Sequence, residues 1–180
     1  MFKKINLSKK QKWFGSIILI IFIYKLIPNA LFVKHYTFSM YLKDDNSLLG
    51  PDQNDNGIRD DIELWIDNHP LVLNDDIKKA MYQSARVQRD SLKFFDDKEK
   101  SIQVNHRSNA ASSCEGLVFR KIDPTDTTRL EIVLPLVKLS YNTKSRKEAY
   151  DKYTNHLTGK IWAMPDTIDD SCDFKTSEKY

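Results

Sequence analysis

Residues 52–63 read Asp52-Gln53-Asn54-Asp55-Asn56-Gly57-Ile58-Arg59-Asp60-Asp61-Ile62-Glu63. Oxygen-bearing side chains fall at positions 1, 3, 5, 9 and 12 of this stretch, and glycine at position 6. The pattern D-x-[DN]-x-[DN]-G-x5-E wraps one backbone segment around a hard cation, calcium, which takes about six to eight oxygen ligands. Position assigns the roles. Asp52 is the first ligand, Asn54 and Asn56 supply side-chain carbonyls, and Ile58 supplies its main-chain carbonyl. Asp60 binds directly or through water, and Glu63 gives a bidentate carboxylate from the first turn of a helix. Gly57 permits the left-handed turn between the two halves. Asp55 and Asp61 lie off the ligand pattern and are expected as solvated charges. The competing reading is an Asx-rich turn that caps the next helix without a metal. With three charged ligands, the site belongs to the weak extracellular type, with a Kd of roughly 10⁻⁴ M.

The loop opens a helix. Ile58, Ile62, Trp65 and Ile66 recur at helical spacing as one apolar stripe, and His69-Pro70 ends it. His69 is expected to complement the helix dipole there. A second helix starts at Asn74 or Asp75 and runs to about Phe95, with Ile77, Met81, Ala85, Gln88, Leu92 and Phe95 inward. A third spans about 97–120, with Ile102, Ala110, Cys114, Leu117 and Val118 inward. Residues 123–128 form a turn with helix-start chemistry. Leu130 to Leu139 reads as a kinked helix around Pro135, with a strand at 132–134 as the alternative. Ser145-Arg146-Lys147-Glu148 has the form of a capping box. The helix it launches carries Ala149, Tyr153 and Leu157 on one face and stops at Gly159. The tail 160–180 is irregular, held by Trp162 and Cys172. The fold class is mostly α: a small bundle of four or five helices over 52–180, beginning with the calcium loop.

Upstream the chemistry changes. Seven of the 28 Lys and Arg residues lie in 1–34, where there is no Asp or Glu. The other 146 residues carry 21 basic and 25 acidic groups, a formal charge of −4, so no basic surface argues for nucleic acid. Residues 1–12 form a basic n-region facing the cytoplasm. Residues 13–33 are uncharged apart from Lys25, with Pro28 and Asn29 near the far end, and reach about 30 Å at ~1.5 Å per residue. They read as a transmembrane signal anchor, with a signal peptide as the alternative, since Pro28-Asn29-Ala30 is a poor cleavage site. Residues 34–51 form a connector with a weak strand-like alternation. The expected placement is a single pass of the inner membrane, with the C-terminal domain in the periplasm or outside the cell. The membrane is then a partner through the N-terminal segment.

The stretch Asp52 to Glu63, with Gly57-Ile58-Arg59-Asp60 at its turn, resembles the thrombospondin type-3-like calcium loops of bacterial surface proteins. Those commonly carry Gly-Ile-Pro-Asp, so Arg59 is a departure, and the loop occurs once rather than in tandem. It is EF-hand-like in spacing but has Arg59 at position 8, where paired EF-hands place an apolar residue. The resemblance covers twelve to eighteen of the 180 residues. It implies an ion, held by Asp52, Asn54, Asn56, Ile58, Asp60 and Glu63, and no activity.

Cys114 and Cys172 are expected to pair in an oxidising compartment. Closing that loop contributes roughly 4 kcal/mol in the chain-entropy model. The histidines His35, His69, His106 and His156 are scattered, without H-E-x-x-H spacing, and no G-x-S-x-G or Walker loop is present. No catalytic residue is assigned. The polar run Arg107-Ser108-Asn109 to Ser112-Ser113-Cys114 either packs closely or lines a groove, and close packing is the expectation. The aromatics Tyr141, Tyr150, Tyr153 and Trp162 are read as core or rim. The functional expectation is an exported calcium-binding scaffold or binding module of the cell envelope, with an envelope protein as partner. An envelope hydrolase and an inhibitor or immunity-type protein are the alternatives.

Overall fold

The computed structural model describes residues 46–177. The basic segment, the apolar segment 13–33 and the connector up to residue 45 lie outside the described residues, as do 178–180. Among the described residues are six helices and no strand: α1 Asp60–Asn68, α2 Asp75–Lys93, α3 Lys98–Arg120, α4 Thr127–Ser140, α5 Lys144–Asn155 and α6 Ile168–Ser171. The mostly helical bundle is found, with a four-residue sixth helix beyond the expected count. No helix among the described residues is long and apolar enough to cross a membrane.

Local chemistry starts most of these helices. Asn74 Oδ1 accepts from the Ile77 N–H at 2.9 Å and caps α2. Asp97 Oδ1 accepts from the Lys100 N–H at 3.0 Å and caps α3. Before α4 the capping is displaced. Asp126 adopts the left-handed conformation (φ 66°) without a side-chain cap bond. Asp123 instead accepts from the N–H groups of Thr125 and Thr128, each at 2.8 Å. Hydrogen bonds from Thr125 and Thr128 hold its carboxyl well below the ordinary carboxylate range. α4 is a helix through Pro135, which resolves the strand alternative.

The capping-box reading of α5 is corrected. The N-cap is Thr143, whose Oγ1 accepts from the Arg146 N–H at 3.2 Å. Ser145 lies inside the first turn, bonded to Thr143 Oγ1 at 3.1 Å. The helix also ends at Asn155, four residues short of Gly159, which takes φ +77° in the turn that follows. His69 is corrected as well. Burial pushes its imidazole pKa down, and its Nδ1 accepts from the Leu71 N–H at 3.3 Å, so it acts as a neutral acceptor.

Four helices contribute to one core. Ile58, Ile62 and Ile66 from the loop and α1 meet Ile77, Met81 and Ala85 of α2, Cys114, Val118 and Phe119 of α3, and Ile132 and Leu136 of α4. Full burial of each large apolar side chain contributes roughly 1.5–3 kcal/mol. α2 touches α1, α3, α4 and α5, and its longest packing partner is α3. The inner face of α3 is rotated from the expected one. Val104, Ala111, Glu115 and Phe119 are buried with Cys114 and Val118, whereas Ile102, Ala110 and Leu117 are half-buried. A helix this polar has a weak apolar stripe, so the packing of its neighbours selects its face.

The tail folds back on α2 and α3. Cys114 and Cys172 form a disulfide with Cα atoms 5.0 Å apart. Gln83 Nε2 donates to the Ser171 carbonyl at 2.8 Å, and the Ser177 N–H donates to Asp76 Oδ2 at 2.9 Å. Trp162 has a smaller part than expected, meeting His106 edge-on at 4.9 Å between ring centroids.

Thr143→Ala is expected to destabilise the domain by about 1 kcal/mol, whereas Ser145→Ala stays within a few tenths. Denaturant unfolding of both variants checks this; equal losses would return the cap to Ser145. Protein exported to an oxidising compartment should gain two alkylatable thiols only after reduction, read by intact mass. Reduction should lower stability by up to roughly 4 kcal/mol. Two thiols open to alkylation without reductant would count against the pairing in the exported protein.

Candidate functional site

The stretch 52–63 forms a closed loop. The Asp60 N–H donates to the Pro51 carbonyl at 2.9 Å, so the chain returns to its own start as α1 begins. Asp52 is the pivot. Its Oδ1 accepts from the Asn56 N–H and its Oδ2 from the Gly57 N–H, both at 3.1 Å. Gly57 takes φ +80°, which explains a glycine at this position. Asn56 Oδ1 then accepts from the Ile58 N–H at 2.8 Å, turning the chain inward. Ile58 is fully buried and fixes this turn to the core.

Glu63 is met by the side-chain amides of two Asn residues. Asn54 Nδ2 donates to Glu63 Oε2 at 3.0 Å, and Asn56 Nδ2 donates to Glu63 Oε1 at 2.8 Å. Asp60 Oδ1 accepts from the Gln53 N–H at 3.0 Å, while its Oδ2 is buried with no hydrogen-bond partner. The structure thus brings Asn54, Asn56 and Glu63 into direct contact and ties Asp52 and Asp60 into the same loop. Among the described residues no group of three or more His, Cys, Asp or Glu stands in a metal-holding arrangement. Asp52, Asp60 and Glu63, the three carboxylates of the expected ligand set, are therefore not gathered as such a group.

Asp55 is exposed with φ +53°, as expected of a residue off the ligand pattern. Asp61 is the opposite of the solvated charge read from the sequence. It is 5% exposed and accepts two bonds from Arg59, at 2.5 Å from Nε and 2.9 Å from Nη2. Arg59 is itself 4% exposed, and its Nη2 also donates to the Leu139 carbonyl at 2.9 Å, in the last turn of α4. A charge is buried at this cost only when its hydrogen bonds are satisfied. On the other side Arg89 of α2 reaches Asp52 Oδ2 at 3.3 Å.

Sequence reasoning missed a second polar centre. Glu115 of α3 is 2% exposed, and Ser84 of α2 donates a short hydrogen bond to its Oε1. Arg129 of α4 approaches its Oε2 at 3.6 Å, but bonds Asp126 at 2.5 and 2.6 Å. Burial pushes the Glu115 carboxyl up to about 7, against the lowering influence of Ser84 and Arg129. The Arg129 guanidinium is raised first by Asp126 and only then by Glu115. Both shifts are upward, which favours the charged form of Arg129 and disfavours that of Glu115. The shorter Asp126 pair occupies Arg129, so desolvation decides the state of Glu115.

Glu115 lines a cavity of ≈ 180 Å³ between α2, α3, α4 and α5. Ser108 and Ser112, from the polar run on α3, line it too, so this face opens on a cavity instead of packing closely. Tyr141, Tyr150 and Tyr153 form part of its wall in a stack, with centroids 4.1 and 5.8 Å apart. A lone glutamate among serines carries no sequence motif; the only available signal was a charged residue one position after Cys114 on the inner face.

Comparison with protein-family models, with curated proteins and with solved structures finds no match to the chain.

Glu115 makes the domain's stability depend on pH. Its folded pKa lies above the ordinary value, so its contribution is complete below about 4.5 and is lost as pH rises through about 7. The total change is up to about 3 kcal/mol. Unfolding measured from pH 4.5 to 8 should show this decline, and Glu115→Gln should flatten it. A variant with the same slope as the parent would place the titration elsewhere.

Proposed function

We propose that the chain is a membrane-anchored, exported calcium-binding protein, a non-enzymatic scaffold or binding module of the cell envelope. Asp52, Asn54, Asn56, Asp60 and Glu63, with the Ile58 carbonyl, hold the ion. The observation that carries this reading is Asp60 Oδ2, a carboxylate oxygen buried without a partner inside a loop of otherwise satisfied oxygens. An uncompensated buried carboxylate oxygen is costly, and a cation relieves it. The all-oxygen donor set suits calcium over zinc or copper. The clustered lysines and apolar run of 1–33 support anchoring with the domain outside the cytoplasm.

The role of the ion is structural. The loop is single, and its backbone is fixed by Ile58 in the core and by Arg59 and Arg89 at its flanks. Binding to the native state alone stabilises by RT ln(1 + [L]/Kd), about 1.4 kcal/mol at tenfold saturation.

Calorimetric titration of the full-length chain in detergent should give one calcium per chain, with magnesium weaker because it sheds its water reluctantly. Glu63→Gln should weaken calcium by about tenfold or more, the worth of one charged contact. Asp55→Asn should change it little. Absence of binding heat and of any thermal shift in millimolar calcium would end the proposal; equal losses in the two variants would reduce it to bulk loop charge.

A further inference from the structure

The cavity between α2, α3, α4 and α5 has an inventory of its own, independent of the calcium loop. Gln88 Oε1 of α2 and Asn105 Nδ2 of α3 are both buried without hydrogen-bond partners, and both residues line it. One is an acceptor and the other a donor. Around them stand hydroxyls: Ser84, Ser91, Ser108 and Tyr141, with Ser91 Oγ and Tyr141 Oη 2.9 Å apart. Buried polar groups in native proteins are satisfied, by protein, water or ligand. Two orphaned amide atoms in one cavity therefore point to an occupant that supplies both a donor and an acceptor.

We propose that this cavity binds one small neutral polyhydroxylated molecule, of monosaccharide size. Charge decides against the other classes. No lining residue is Lys or Arg, so an anion finds no partner among them. The nearby Arg129 is already held by Asp126. Glu115 is the lining carboxyl, and burial favours its neutral form, which gives a cation little to pair with. A sugar offers hydroxyls that donate and accept, matching Gln88, Asn105 and the serines. Its C–H faces match Val133, Val137 and the Tyr150 ring, which supply the apolar lining. At ≈ 180 Å³ the cavity is smaller than drug-sized sites of roughly 300 Å³ and above, so a single ring is accommodated and a polymer chain is not.

The test is saturation-transfer NMR on the full-length chain in a detergent without sugar head groups. The probes are glucose and N-acetylglucosamine, with tetramethylammonium and acetate as charged controls. A saturable signal from a neutral sugar is expected, weakened by about tenfold in Gln88→Leu and in Asn105→Leu, the loss of one buried hydrogen bond. Circular dichroism confirms that each variant is folded; if a leucine variant loses helix, the alanine variant at that position is read instead. No saturable sugar signal, equal binding in the folded variants, or preference for a charged probe would overturn the proposal. Calcium binding is read in the same samples, so failure here and failure of the loop are separable.

Discussion

A buried guanidinium governs the way this domain is joined. Arg59 stands at the end of the loop and the start of α1, and it is almost wholly removed from water. Desolvation of such a charge costs several kcal/mol unless its N–H groups find acceptors. Asp61 supplies both carboxylate oxygens, and α4 supplies the carbonyls of Leu139 and, at 3.4 Å, Ser140. Those carbonyls belong to the last turn of a helix, where they lack intrahelical donors. One side chain therefore satisfies two needs, and the loop is fixed to a helix some eighty residues away in sequence. The backbone of Arg59 (φ −67°) is one that proline adopts. The departure from Gly-Ile-Pro-Asp is thus not forced by conformation; the difference lies in what the arginine side chain reaches.

The same device recurs. Arg146 of α5 is 1% exposed and donates to the Ser47 and Leu48 carbonyls at 2.8 and 3.2 Å. Arg89 of α2 donates to the Leu49 carbonyl at 3.4 Å and pairs with Asp52. Arg146 and Arg89 hold the irregular segment at residues 47–49 by its main-chain carbonyls, and Arg59 ties the far end of the loop to α4. A segment with no secondary structure must have its carbonyls satisfied somewhere, and long cationic side chains reach them where helix packing cannot. This is why a loop rich in Asx residues stands in one geometry on a helical body, and why the ion proposed there would act on the fold and not on a hinge.

Much of this was legible in the sequence, and the boundary has physical causes. The helix starts at Asn74 and Asp97 were readable because capping is local, depending on a few consecutive residues. The stripe of Ile58, Ile62 and Ile66 was readable because its period is local too. The α5 cap was misplaced by two residues because Thr143 and Ser145 both satisfy the same rule, and only the backbone chooses. Asp61 and Glu115 were not readable. A carboxylate is solvated by default; Glu115 is buried by Ser84 and Arg129, distant in sequence, and Asp61 by Arg59, a near neighbour whose own burial is set by α4 some eighty residues on. The cavity is of the same kind, since it arises from four helices and belongs to none.

The central claim is that an ion in the loop and the helical core stabilise one another. Amide hydrogen exchange on the full-length chain, in saturating calcium and in chelator, tests it most directly. The amides of Asn56, Gly57 and Ile58 already donate to Asp52 and Asn56 oxygens, so they report on the loop itself. Calcium should slow their exchange most directly, and core amides of α2 and α3 that open only by global unfolding should slow by the same linkage stabilisation. Identical exchange at these amides with calcium and with chelator would contradict the account.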